Sequence, residues 1–403
     1  MSIFLKEAAT RRESVTSLLR DLISIQSLST QEKSAVERLV QEAKLLDADE
    51  VSIDENGTFI ARFGQGDRAL IYDSHVDTVD IGSRKEWSHD PFDPWVERGA
   101  FGNIIHGRGA SDNKAGISSM LIGASQWKQM SVKQNFSIFV VGSVQEEACD
   151  GLALYKILTS NDIPQPEVVV LGEATTCKVY RGNRGRIEAY LRIHGLSCHA
   201  SAPERGRNPV TAIAPLIEEI HRLNNRMESS SFLGKGSIAI TKIECATPSL
   251  NAVPSSATLY VDRRLSQEET PDQALKQLRE IASALGLEVD IDVLEYEATS
   301  YTGSLLTQKK EFNSWVLDES SPYLGAAIDA TNATSRPSTD TSHWVFSTNG
   351  VASMGKLGIP TIGYGPGDEI HAHTAHDQCP EDDLVEAIAW YSAFPESLAA
   401  RHS

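Results

Sequence analysis

Short apolar runs alternate with amphipathic stretches along most of the chain. Apolar runs at 69–72, 136–142, 166–171 and 358–364 have the length and β-branched content of buried strands. Between them, apolar residues recur at helical spacing over 31–46, 114–130, 152–158 and 381–393. The first 27 residues show the same spacing through Leu5, Val15, Leu18, Leu19, Leu22, Ile23 and Ile25, which predicts a helix. Two short β-like segments, 51–53 and 58–63, flank the turn Glu55-Asn-Gly57, and 87–105 reads as loop because Pro91, Pro94, Gly99 and Gly102 interrupt it. Strands alternating with helices predict an α/β fold with a mostly parallel sheet.

The pattern changes near 180–185. From there the order is strand 186–194, helix 209–226, strands 237–243 and 257–265, helix 271–285 and strand 288–293. That βαββαβ order is the ferredoxin-like arrangement, a unit that can pair its edge with a second copy of itself. The α/β pattern resumes at about 297 with a predicted helix at 311–318, a strand at 325–329, the run at 358–364 and the last helix. The expected organisation is a catalytic domain formed by 1–181 and 297–403, interrupted by a dimerisation or lid domain at 182–296.

Charge and composition narrow the function. With 37 basic against 55 acidic residues the formal charge is −18, which disfavours nucleic acid and anionic membranes as partners. No apolar run has the roughly 20 residues that span a bilayer, and 1–27 lacks the continuous apolar core of a signal peptide. Five scattered cysteines (Cys149, Cys177, Cys198, Cys245, Cys379) without a CxxC pair read as free thiols, and a cytoplasmic location is expected.

Candidate chemistry gathers at strand ends, where open α/β sheets build their sites. Ser74-His-Val-Asp77 closes the run at 69–72, and Gln145-Glu-Glu147 closes the one at 136–142. Gly172-Glu173 follows 166–171, and Asp112 lies in Gly107-Arg-Gly-Ala-Ser-Asp112-Asn-Lys-Ala-Gly116, just before a helix. Adjacent carboxylates such as Glu146 and Glu147 repel unless a cation compensates them. Three of the eleven histidines, His371, His373 and His376, fall within six residues near the C-terminus, which suits metal binding. Each feature alone has a plain alternative: Asp112 as a helix cap, His75 as a buried hydrogen-bonded imidazole, Glu146-Glu147 as a solvated turn.

Taken in order, the motifs SHxDTV, GRGASDxKxG, EE, GE, an inserted GxxxHAS and GPGDxxxxH resemble the dinuclear zinc amidohydrolases that include acetylornithine deacetylase, succinyl-diaminopimelate desuccinylase and glutamate carboxypeptidase. The resemblance runs from Ser74 to the last helix. It implies two Zn2+ per chain, with Co2+ or Mn2+ as substitutes. His75, Asp112 and Glu173 would hold one ion and Asp112, Glu147 and His373 the other, Asp112 bridging. It further implies Glu146 as general base, Asp77 as the carboxylate orienting His75, and His199 as an oxyanion donor to a partner subunit's site. Asn251 and Arg264 would contact substrate, the arginine pairing with a carboxylate, with Arg263 an alternative to Arg264 and His376 an alternative to His373. The stretch Ser347-Thr-Asn-Gly350 falls where relatives line the substrate pocket.

The function expected from this resemblance is metal-dependent hydrolysis of the amide bond of a small N-acyl amino acid by a homodimer. Dipeptidase or carboxypeptidase action is the alternative within the same chemistry. A non-catalytic binding or assembly protein is the alternative outside it, and the presence of every expected ligand and of the base argues against that.

Overall fold

The computed structural model describes residues 1–99, 102–131 and 135–401. Four strands, in the order Phe136–Ser143, Arg68–His75, Val168–Leu171 and Thr361–Gly363, form the parallel centre of a nine-stranded mixed sheet. Antiparallel strands flank it: Phe59–Phe63 and Glu50–Ile53 on one side, Val179–Asn183 and Trp315–Val316 on the other, with Thr341–Trp344 pairing parallel to Val179–Asn183 as the ninth strand among the described residues. The central strands are buried on both faces, as their near-continuous apolar sequences require. Leu70, Tyr72, Ile138, Val140, Val168 and Val170 pack on one side with the helices Lys114–Met130 and Glu381–Arg401. The alternate residues Ile71, Phe139, Val141, Val169 and Leu171 pack on the other with Leu154 and Ile157 of the helix Leu152–Thr159. This period of two divides the core into two layers around one sheet. Each fully buried aliphatic or aromatic side chain in them contributes about 1.5–3 kcal/mol.

A second sheet is antiparallel throughout, in the order Ser237–Ala246, Ser256–Leu265, Gly185–His194, Asp290–Val293. The helices Pro209–Arg226 and Pro271–Ala284 bury Ile213, Leu216, Ile220, Ala274, Leu275 and Leu278 against it. The strand Ser237–Ala246 forms an edge whose outer half is exposed, including Ile243. Among the described residues no helix is long and apolar enough to cross a membrane.

Four local expectations differ from the structure. The segment expected as helix over 311–318 forms two short strands. Glu311–Phe312 pairs with Gly185–His194, and Trp315–Val316 pairs with Val179–Asn183. The segment expected as strand over 325–329 is the helix Pro322–Ala330, with Pro322 in its first turn, the position where proline is preset for a helix. Within the expected loop 87–105, Trp95–Gly99 and Gly102–His106 pair antiparallel, and Gln378–Pro380 joins them. The N-terminal helix is two helices, Ile3–Thr10 and Arg12–Ser24, broken at Arg11.

Candidate metal centre

The parallel register aligns His75 with Ser143 and Asp73 with Leu171, so three strands end side by side. Glu146 and Glu147 follow one end after Gln145, whose φ of +57° turns the chain. Glu173 follows another through Gly172. A side chain at Gly116 would meet the Gly172 carbonyl, and one at Gly365 would meet the carbonyls of Gly172 and Glu173. Both glycines therefore let the Asp112 loop and the 365–373 loop close onto the strand ends.

Asp112 takes the middle of the cluster. Its Oδ1 lies 2.9 Å from His75 Nε2, and its Oδ2 lies 3.2 Å from His373 Nε2. The same His373 atom is 2.9 Å from Glu147 Oε2. Glu173 Oε1 and Glu146 Oε2 stand 3.7 and 3.9 Å from His75 Nε2.

The supports around this cluster use buried hydrogen bonds. His75 Nδ1 is 2.9 Å from the main-chain carbonyl of Asp77, with the Asp77 carboxylate at 3.5 Å. That carboxylate also accepts the N–H groups of Glu146 and Glu147, each at 3.1 Å, and the Ser29 hydroxyl at 2.7 Å. Asp77 therefore ties the His75 strand end to the Glu146-Glu147 turn, while its backbone takes the imidazole. Lys114 is buried and donates to the carbonyls of Leu22 and Ile25, both at 2.8 Å, holding the start of its helix against the N-terminal region. Burial lowers its ammonium pKa to about 7.

Burial and mutual repulsion set the charge state. Burial first, then Asp112, pushes Glu147 up to about 7, and burial opposed by His75 leaves Glu173 at about 8. Glu146 is raised well above the carboxylate range, chiefly by burial. For Asp112 burial acts upward too, but hydrogen bonds from His373 and His75 outweigh it and hold the pKa well below normal. Those bonds to Asp112 and Glu147 raise His373 to about 10. His75 is raised against the effect of its burial by Glu173 and Glu146.

The residues fit a pair of divalent cations. Asp112, Glu146, Glu147 and Glu173 converge beside the two imidazoles. Glu147 Oε1 is buried without a hydrogen-bond partner among the described residues, and donor atoms of His75, Asp112 and Glu147 lie within 4.8 Å of one another. Carboxylate and imidazole are the donors that zinc and its first-row neighbours accept.

The cluster floors a cavity of about 280 Å³. Arg264, Arg186, Asp150, Phe346, Ser347 and Glu369 complete its lining. Arg264 is held by Asp262 through Nε at 2.7 Å and Nη2 at 3.0 Å. Arg186 donates to Asp150 at 2.7 Å, and Asp150 also accepts the Ser347 hydroxyl. Asn349 lies beneath, bonded to Asp73 and to the Gly151 N–H.

Several expected residues fall elsewhere. Arg263 is buried in the second sheet against Glu269, so the cavity arginine is Arg264. His376 lines a separate depression near Asp80 and Glu86, and His373 is the histidine that meets Asp112 and Glu147. His199 and Asn251 adjoin each other on exposed loops, where Ala200 N–H donates to the Asn251 carbonyl, and neither lines this cavity. Sequence reasoning missed Asp150, Arg186 and Glu369 as cavity residues. Their signal was proximity to recognised motifs: four residues past Glu146, at the end of Arg181-Gly-Asn-Arg-Gly-Arg186, and inside Gly365–His373.

Residues 181–290 match the peptidase dimerisation domain of the M20 family. The chain is 36% identical over 398 residues to the uncharacterised protein YgeY of Escherichia coli K12, covering 99% of this chain and 98% of that one. It is 27% identical over 289 residues to the succinyl-diaminopimelate desuccinylase of Bordetella parapertussis, covering 69% of this chain and 74% of the enzyme. Its fold is similar to that of aminopeptidase PepT from Bacillus cereus, with TM-score 0.72 and 19% identity over 96% of this chain and 99% of that one. Bacillus subtilis YxeP, described as a dinuclear metal-binding peptidase of the M20 family, superposes with TM-score 0.68 and 15% identity over 98% of this chain and 99% of that one. The chain belongs to the M20 family of dinuclear metallopeptidases and amidohydrolases, metal-dependent hydrolases of amide and peptide bonds.

Proposed function

We propose that the protein hydrolyses the amide bond of a small N-acyl amino acid. A dipeptide counts chemically among these, since it is an amino acid acylated by another. The observation that carries the reading is two overlapping ligand triads sharing Asp112 on the floor of a cavity that also presents Arg264. His75, Asp112 and Glu173 would hold one cation, and Asp112, Glu147 and His373 the other. Zinc is the proposed metal. When bound, such a pair supplies Lewis-acid polarisation of the scissile carbonyl and makes water more acidic.

The chain's own groups do the rest. Glu146 lines the cavity beside the two ligand triads, where its carboxylate can take a proton from water and return it to the leaving amine. Arg264 offers a guanidinium held by Asp262 to the product-side carboxylate. Asp77 acts by orientation, fixing the Glu146-Glu147 turn against the His75 strand end.

The division into a catalytic domain (1–181 and 297–403) and an inserted 182–296 domain belongs to this proposal, with a homodimer formed through the insert. The exposed edge Ser237–Ala246 supports it, because an unpaired strand can extend into a two-fold mate. His199 and Asn251, outside their own cavity, would then complete the partner's site, His199 as oxyanion donor.

The test is amine release by the metal-loaded protein from a panel of N-acyl amino acids and dipeptides. Turnover of at least one class is expected, and none across the panel contradicts the reading.

A further inference from the structure

Outside the metal cluster, the charged residues lining the cavity are Asp150, Arg186, Arg264 and Glu369. The first three each have an ionic partner within the protein, Asp150 with Arg186 and Arg264 with Asp262. Glu369 differs. Its side chain has no hydrogen-bonding or ionic partner among the described residues, and its Oε2 is buried without one. Its charged neighbour is Asp368, which repels it, and burial together with that repulsion pushes its carboxyl up to about 7. A carboxylate withdrawn from water at a cavity wall is costly unless a cation arrives. Among the described residues none supplies one, the two cations are taken up by the ligand triads and the partner's His199 by the oxyanion, so the compound that fills the cavity is the remaining source.

We propose that Glu369 is a specificity-determining residue that receives the free ammonium group of the substrate. Resting on the hydrolase reading above, this narrows the substrate from N-acyl amino acids in general to aminoacyl ones. A dipeptide-sized zwitterion would place its carboxylate at Arg264, its amide over the metal cluster and its ammonium at Glu369. A cavity of about 280 Å³ lies just below the usual range of small-molecule sites and suits a compound of that size.

The test uses the metal-loaded full chain carrying Glu146→Gln, so that binding is read without turnover. The probes are L-alanyl-L-alanine and N-propionyl-L-alanine, which match in shape except for the ammonium. Near neutral pH the dipeptide should bind about ten- to a hundredfold more tightly, the range of a hydrogen bond to a charged group. Adding Glu369→Gln should bring that ratio close to one. Glu369→Gln should also melt at or above the temperature of its parent, since an uncompensated carboxylate has been removed. Equal affinities in the parent, or a preference that survives Glu369→Gln, overturn the assignment. Turnover by the unsubstituted chain is scored separately. If no member of the N-acyl amino acid and dipeptide panel is cleaved while the affinity ratio behaves as expected, the hydrolase reading fails and Glu369 stands as the residue that receives the ammonium group. Cleavage of both with an affinity ratio of one retains the hydrolase and removes Glu369.

Discussion

The carboxylate of Asp377 accepts the main-chain N–H of Ser111 at 2.8 Å, across 266 residues of chain. It also accepts the Gly109 N–H at 2.7 Å and the Arg108 guanidinium at 3.1 Å. One buried side chain thus holds the loop that presents Asp112, and it comes from the segment that presents His373. The first prediction follows. Asp377→Ala strands Arg108, which is 2% exposed, and the expected loss is about 3–5 kcal/mol of stability together with weaker metal binding. Urea denaturation with metal titration reads both. Unchanged stability would remove Asp377 from this role.

Glu146 and Glu147 are adjacent in sequence but face different tasks. Glu146→Gln should keep both metals and lose about 10²–10⁴ in rate, the usual contribution of general acid–base catalysis. Glu147→Gln should shed metal at the site it shares with His373, because their 2.9 Å contact marks a common ligand position. If Glu147→Gln retained both metals while Glu146→Gln lost one, the roles would be reversed.

Metal binding should release protons. Without metal, Glu147 has a pKa of about 7 and Glu173 of about 8, and both histidines are raised. A cation requires the deprotonated ligands. Affinity should therefore strengthen as pH rises through about 7 and 8 and on toward about 10, where His373 loses its proton, and weaken as pH falls below that window. Calorimetry in two buffers of different ionisation enthalpy detects this, and the absence of net proton release at neutral pH would contradict it.

Activity should return when two inactive variants are mixed. His199→Ala and Glu146→Ala each lose turnover, the first by about 10²–10³ if it removes an oxyanion donor. After reversible dissociation, a mixed dimer holds one site with Glu146 from one chain and His199 from the other. Mixed dimers that form without recovering activity would place His199 outside the partner's site.

Much of this was legible from local pattern. The runs at 69–72, 136–142 and 166–171 named their own strands, because buried parallel strands are apolar without alternation, and the candidate ligands follow their ends directly. Residues 311–318 were not legible. Phe312 and Trp315 are apolar residues three apart, as in a helix, yet each joins a two-residue strand set by pairing with distant Arg186 and Asn183. The same limit applies to the cavity. Nothing local shows that Arg186 meets Asp150 while Glu369 meets no cation, since both follow from how segments distant in the chain converge, 36 residues apart for Arg186 and Asp150.

The proposed catalysis depends on a metal pair. The direct measurement is elemental analysis and substrate turnover on one purified sample, before and after chelation and after zinc is restored. Two divalent ions per chain are expected, with loss of turnover on their removal and recovery on their return. Full turnover by a chain shown to be metal-free would contradict it.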